Sequence, residues 1–538
     1  MPPIFIYQKT MELSTRIYTA GTDSFADIRE RHCIYADKTD LVYKLTHESK
    51  FVFLSRPRRF GKTLLCSTLE CYFKGRKELF DGLAMEKLET EWKQFPVFKF
   101  NLSLCKNQED TKGIIDELYS QLRWLRRPYN FETTESTPGK QLKELILRAH
   151  EQTGMQPVLL IDEYDAPLLD YLHKPDILEE VRRIMQEFFM PLKACGDHLR
   201  FVFITGITKF SHLSIFSTLN NLVNISMNPT YSAICGITQE ELETVFAPDV
   251  ELMAADYKCS PEEMMRRLKF RYDGYRFAKI SKDIYNPFSL SNAFFAKDLG
   301  SYWFSSGTPT YLFEQMKRFN MSIQEMEQME VAAVQFDVPT ESMVTALPLL
   351  YQSGYLTIKD YNPNTDKYIL DFPNAEVKSG FFDQFLSSML NIRGKDGQGL
   401  AGDIYASLLY HDTDKALQYL KAFFASIPYL DHGNGELRDI QKFEAYYETL
   451  LYVVFSLLCY RVHTQVKSVR GRADIVVFMP DTTYVMELKI DAPAEEALRQ
   501  IDEKGYMVPY ESEGRNIVKI GISFSSETCT LEEWEIRE

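Results

Sequence analysis

FVFLSRPRRFGKTLLCSTLECYF, residues 51–73, sets an apolar run, a basic turn and a helical stretch in immediate succession. Residues 51–55 are apolar almost throughout, as suits a strand buried on both faces. The turn ends in Gly61-Lys62-Thr63 and leads into a segment of helical periodicity. Strand, glycine-bearing turn and helix in this order aim backbone N–H groups at a phosphate. Lys62 would reach the terminal phosphates, the Thr63 hydroxyl would ligate Mg²⁺, and glycine at 61 permits close backbone approach. The strict phosphate-loop pattern has glycine where Arg56 stands, so only its second half is intact. Arg56, Arg58 and Arg59 are candidates for phosphate contact, with a solvated basic face as the alternative.

About a hundred residues downstream, VLLIDEYD (158–165) ends a second apolar run in adjacent acids. Asp162 would hold Mg²⁺ through water and Glu163 would orient or deprotonate the attacking water. Two acids at a strand end are poor core residues, because burying either unpaired is costly. Thr205, closing the run FVFIT, is placed to sense the γ-phosphate, with Thr208 and Lys209 as substitutes and strand-end capping as the plainer reading. The runs 51–55, 97–103, 158–162, 201–206 and 222–226, separated by helical text such as 177–193, predict a parallel sheet with helices on both faces.

The expected organisation is an extension over 1–15, a nucleotide-binding domain over 16–235, a helical or winged lid over 236–350, a connecting helical region and linker over 351–439, and a C-terminal α/β module over 440–538. The Gly433/Gly435 pair in the linker lacks a preceding strand and reads as a turn.

In the C-terminal module, Asp474 in GRADIVVF is followed, across a short turn, by Glu487-Leu-Lys489. Period-2 geometry puts Glu487 and Lys489 on one face, and folding about the turn brings Asp474 opposite that end. Two carboxylates beside an ammonium suit a Mg²⁺ site at which Lys489 positions or activates water for phosphodiester attack; a cross-strand salt bridge is the structural alternative. Glu444, on the inward side of the preceding helix, is a further ligand candidate, with Glu448 as the fallback. Gln500 and Tyr506 are candidates for orienting nucleic acid or the metal's surroundings. Arg461, Lys467, Arg470 and Arg472 form a local basic stretch without acids, where a phosphate backbone would approach.

The 538 residues carry a net charge of −15, so nucleic-acid contact has to be local and a wholly basic binder is excluded. Hydrophobic residues make up 45%, ample for sizeable cores, and no apolar run approaches membrane-spanning length, so a cytoplasmic location is expected. The nine cysteines form no CxxC pair and the nine histidines no HxxxH, which points away from disulfides and structural zinc.

YADKT (35–39), RPRRFGKT (56–63), LLIDEYDAPL (159–168), TGITKFSHLSIFSTLNNL (205–222), YDGYRF (272–277), IYNPFSL (284–290), YWFSSGTPTYL (302–312), GRADIVV (471–477), YVMELKI (484–490) and ALRQIDEKGY (497–506) together resemble a bacterial, Bacteroidetes-type family that joins an AAA-ATPase-like domain to a C-terminal PD-(D/E)xK nuclease-superfamily domain. The resemblance implies an α/β multidomain chain: a P-loop sheet of the additional-strand class, a helical or winged lid and a restriction-endonuclease-like core. It also implies that arginine is usual at position 56, that Glu444 matches the family's acidic position, and that Glu448 departs from the glutamine of relatives. The expected function is ATP binding and hydrolysis with Mg²⁺, coupled to a Mg²⁺-dependent nuclease acting on DNA in defence or mobile-element processing. The alternative is a nucleotide-gated switch whose nuclease fold binds nucleic acid or a protein without cleaving. Nucleic acid, DNA ahead of RNA, is the expected partner; no membrane is, and a homo-oligomer is left open.

Overall fold

The computed structural model of the chain describes residues 16–19, 21–106, 110–172, 174–209, 221–306, 310–319, 321–339, 343–390, 397–425, 440–458, 462–468, 471–528 and 530–538. The extension 1–15 and the linker glycines Gly433 and Gly435 lie outside them. The chain divides into two compact units, the first reaching Glu376 and the second running from Val377 to Glu538 and taking in 308–313 and 322–325.

The first unit is built on β1 (Phe51–Ser55), β2 (Val97–Asn101), β3 (Val158–Asp162), β4 (Phe201–Gly206) and β5 (Val223–Asn224). They form one parallel sheet in the order β2-β3-β4-β1-β5, with β4 inserted between β1 and β3. The apolar runs reflect burial on both sides. Phe53, Leu159, Ile161, Val202 and Ile204 face a core with helices Thr111–Arg126, Pro138–Thr153 and Pro175–Phe189. Val52, Leu54, Leu160 and Phe203 face a second core with helices Thr39–Glu48 and Lys62–Phe73. Two strands are shorter than their runs. β2 stops at Asn101, whose side chain accepts from Ser103 N–H and starts a 3-10 turn. β5 keeps only two residues, both exposed, at the sheet edge.

Residues from 237 onward form a separate core in which Leu242, Phe246, Met253, Leu268, Tyr285 and Phe294 pack between short helices and the antiparallel pair β6 (Ile237–Thr238) and β7 (Ile284–Tyr285). An antiparallel sheet ordered β8 (Met329–Ala332), β10 (Lys367–Asp371), β9 (Thr357–Asn362) follows.

In the second unit β11 (Val462–Ser468), β12 (Gly471–Phe478), β13 (Thr482–Ile490), β14 (Asn516–Phe524) and β15 (Leu531–Arg537) lie side by side in chain order. All neighbours are antiparallel except β13 and β14, which are parallel and therefore need the crossover helix Ala494–Lys504. That helix lies close on β14: a β-carbon at Gly521 would sit 2.2 Å from the Ala494 carbonyl oxygen, so only glycine fits. The helix Ile440–Leu458 packs on β11, β12 and β13. Among the described residues, no helix is long and apolar enough to cross a membrane.

Candidate functional site

In the first unit the chain leaves β1 at Ser55, turns through residues 56–61 and enters helix Lys62–Phe73. Gly61 is left-handed at φ +89°, a conformation costly for any residue with a β-carbon. A β-carbon there would meet no atom within 4 Å, so the glycine is required by the backbone and leaves open space beside it. Lys62 is buried, and its ammonium donates to the carbonyl oxygens of Arg56 and Pro57, each at 2.9 Å. Burial lowers its pKa, while Glu163, Asp165 and Asp162 oppose that shift. Thr63 stands beside Asp162 and pulls that carboxyl's pKa down, so the end of β3 lies against the first helical turn, as a shared Mg²⁺ site requires. Asp162 is 1% exposed, and burial raises its pKa against the pull of Thr63 and Lys62. Glu163 has left-handed backbone at φ +50°, and its carboxylate lies 3.2 Å from the Lys106 ammonium. Such geometry in a non-glycine residue persists only where surrounding structure enforces it.

The remaining candidates divide. Arg58 is exposed at the loop. Arg59 is left-handed at φ +63°, donates to the Tyr302 carbonyl at 2.8 Å and stacks on Phe288 at 4.0 Å, so the structure fastens it to the region beyond the sheet. Arg56 is buried and bonded to carbonyls rather than exposed as a basic face. Thr205 is fully buried and its hydroxyl donates to the Leu54 carbonyl at 2.8 Å, a tie between β4 and β1 rather than an open phosphate sensor. Thr208 donates to Asp165 at 2.7 Å, and Lys209 is ion-paired with Asp337.

Asp165 is a residue that sequence reasoning passed over. One of its oxygens accepts from Ile207 N–H at 3.0 Å, Thr208 N–H at 2.6 Å and the Thr208 hydroxyl, and so shapes the turn after β4. Burial raises its pKa against those bonds. Its available signal was a third acid within IDEYD, too polar for the apolar text around it.

In the second unit β12 and β13 pair with Ile475 opposite Met486, which sets Asp474 at the end where Glu487 lies. Asp474 accepts from Leu488 N–H at 2.8 Å, and the Lys489 ammonium stands 3.5 Å from Glu487 Oε1. The expected convergence of Asp474, Glu487 and Lys489 is therefore present. Glu487 is 1% exposed, and its Oε2 has no hydrogen-bond partner among the described residues. Burial, reinforced by Asp474 and opposed by Lys489, raises its pKa to about 8.

Gln500 Nε2 donates to Glu487 Oε1 and lies 3.2 Å from the Tyr506 hydroxyl. Tyr506 is only 3% exposed. Of the two roles expected of it, the pair thus takes a place behind the candidate metal ligand Glu487, inside the module, rather than one facing nucleic acid, because the crossover helix folds onto β13 and β14. Glu448 is buried in the helix Ile440–Leu458; the Glu444 side chain, on the same helix, lies outside the described residues. Arg461 and Arg470 lie outside them as well, while Lys467 and Arg472 face each other in the β11–β12 register with side chains that are not described.

The Asp474–Glu487 site has the donors a divalent cation would need. A buried carboxylate oxygen without a partner, beside a second carboxylate, is costly unless a cation joins it, and oxygen donors are those Mg²⁺ prefers. Among the described residues no three His, Cys, Asp or Glu side chains converge, so Asp474 and Glu487 are the described donors there.

Residues 19–216 match the predicted AAA-ATPase family, and residues 442–534 match the PD-(D/E)XK nuclease superfamily. A protein of Azotobacter chroococcum mcd 1, described as "Uncharacterized protein in vnfD 5'region", is 32% identical over 533 residues, covering 96% of this chain and 98% of its own. With a phosphate loop on an inserted-strand parallel sheet in one unit and an Asp-Glu-Lys hairpin in the other, the chain belongs to the family that joins an AAA-ATPase-like domain to a C-terminal PD-(D/E)XK nuclease-superfamily domain.

Proposed function

We propose that the chain binds and hydrolyses ATP at the loop 56–63 and that its C-terminal module is a Mg²⁺-dependent nuclease acting on DNA, in defence or mobile-element processing. The observation that carries the nuclease reading is Glu487: buried, with one oxygen unpartnered, and flanked by Asp474 and Lys489. The ATP half is supported by the Thr63–Asp162 contact and the buried Lys62.

Mg²⁺ would be held by Thr63 and Asp162 at one site and by Asp474 and Glu487 at the other, and would there supply charge neutralisation for a phosphate. Lys62 offsets charge on the terminal phosphates, and Glu163 orients the attacking water or takes its proton. In the nuclease module Lys489 places a positive charge beside the attacking water and the phosphate, and Gln500 holds the Glu487 carboxylate in orientation.

The test is cleavage by the full chain, with and without ATP, of single-stranded, duplex and branched DNA and of RNA in Mg²⁺ or Mn²⁺. Wild-type cleavage that is lost in Asp474→Ala is expected. No cleavage of any substrate, together with a thermal midpoint indifferent to both cations, would replace this reading with a nucleotide-gated switch that binds without cutting.

A further inference from the structure

Arg56 occupies the place of the first glycine of a phosphate loop, yet it is 1% exposed. Its Nη1 donates to the carbonyls of Ser55 at 2.9 Å and Ser226 at 2.8 Å, and its Nη2 donates to that of Tyr231 at 3.2 Å. The guanidinium carbon lies 4.1 Å from the centre of the Phe277 ring. Nε has no hydrogen-bond partner, and among the described residues no carboxylate is ion-paired with the group. Burial pulls its pKa down to about 10, because taking the cation out of water disfavours the charged form.

The Arg56 main chain is pinned as well. Its N–H donates to the Gly206 carbonyl at 3.2 Å, tying the start of the loop to the end of β4. Its own carbonyl accepts from the Lys62 ammonium, and so does that of Pro57. The Pro57 ring lies against Gly354, where a β-carbon would come within 2.6 Å of it. The two oxygens that receive Lys62 thus belong to residues immobilised from the side chain outward.

We infer that Arg56 is a positioning residue of the nucleotide site: its guanidinium, fastened to the carbonyls of Ser55, Ser226 and Tyr231, fixes the peptide whose carbonyl receives Lys62, and so sets where that ammonium meets a phosphate. The inference rests on the nucleotide reading above. A planar fork is needed because the acceptors belong to two separate segments, and a single ammonium cannot reproduce that spread.

The experiment is a double-mutant cycle on the full chain, with ATP·Mg²⁺ affinity measured by displacement of a fluorescent ATP analogue in wild type, Arg56→Gln, Lys62→Ala and the double variant. Arg56→Gln should weaken binding roughly tenfold in the wild-type background, the scale of a lost charge-assisted hydrogen bond. In the Lys62→Ala background it should change affinity by less than about twofold, because its effect passes through Lys62. Unchanged affinity in Arg56→Gln, or an equal loss in both backgrounds, overturns the inference. If Arg56→Gln does not fold, Arg56→Lys, which keeps the charge without the fork, enters the cycle with the same expected coupling. Wild-type protein that binds no ATP overturns the nucleotide reading itself, a result distinct from wild-type binding with uncoupled losses.

Discussion

Replacing Glu487 by Gln tests the nuclease centre through stability rather than activity. The carboxyl is buried beside Asp474 and titrates near 8, against an ordinary 4.5. A carboxyl whose folded pKa is raised favours folding only while protonated, so its penalty is absent below about 4.5, grows as pH rises, and is complete above about 8. Over that window the cost is on the order of 3–5 kcal/mol, at about 1.4 kcal/mol per pH unit. Glu487→Gln removes the ionisable group while keeping an oxygen to accept from Gln500. In EDTA the variant should match wild type near pH 5 and exceed it at pH 8.5 by about 10 °C in the C-terminal transition, given the size of that unit. Mg²⁺ or Mn²⁺ should raise the wild-type midpoint at pH 8.5 and leave the variant nearly unmoved, since ligation requires the ionised carboxylate. The assay is thermal unfolding of the full chain at several pH values with and without the cation. Parallel pH profiles for the two proteins, or a variant less stable than wild type at pH 8.5, would refute the reasoning.

Three further outcomes are expected. Lys62→Ala should weaken ATP binding, whereas Glu163→Gln should bind ATP and fail to hydrolyse it; calorimetry and a phosphate-release assay separate the two, and equal ATP affinity in wild type and Lys62→Ala would remove the site. Asp165→Ala should lower the urea midpoint by the equivalent of about 3 kcal/mol, because Ile207 N–H, Thr208 N–H and the Thr208 hydroxyl all lose their acceptor, and Asp165→Asn should recover part of that. Neutralising Lys467 or Arg472 should reduce the salt dependence of DNA binding by about one unit of slope each, and an unchanged slope would place the DNA path elsewhere.

Much of this architecture was legible before folding. The runs 51–55, 158–162 and 201–206 became strands with those bounds because a strand covered on both faces writes itself as continuous apolar text. Gly61-Lys62-Thr63 and Asp162-Glu163 were legible because glycine and charged residues at the ends of apolar runs break the surrounding text. Asp474, Glu487 and Lys489 were legible because side-chain alternation and one short turn suffice to bring them together. What tertiary structure alone decided were the destinations of long or buried polar side chains. Arg56 and Arg59 read as phosphate ligands by proximity in sequence, but they run to Ser226, Tyr231 and Tyr302, more than 150 residues away along the chain. Thr205 turns to the neighbouring strand, and Gln500 and Tyr506 turn inward to Glu487, because strand order and the seating of a crossover helix, not local periodicity, determine which face of a residue meets the interior. A motif specifies the groups that chemistry needs, whereas the partners of each buried donor are set by segments distant in sequence that arrive only when the chain packs.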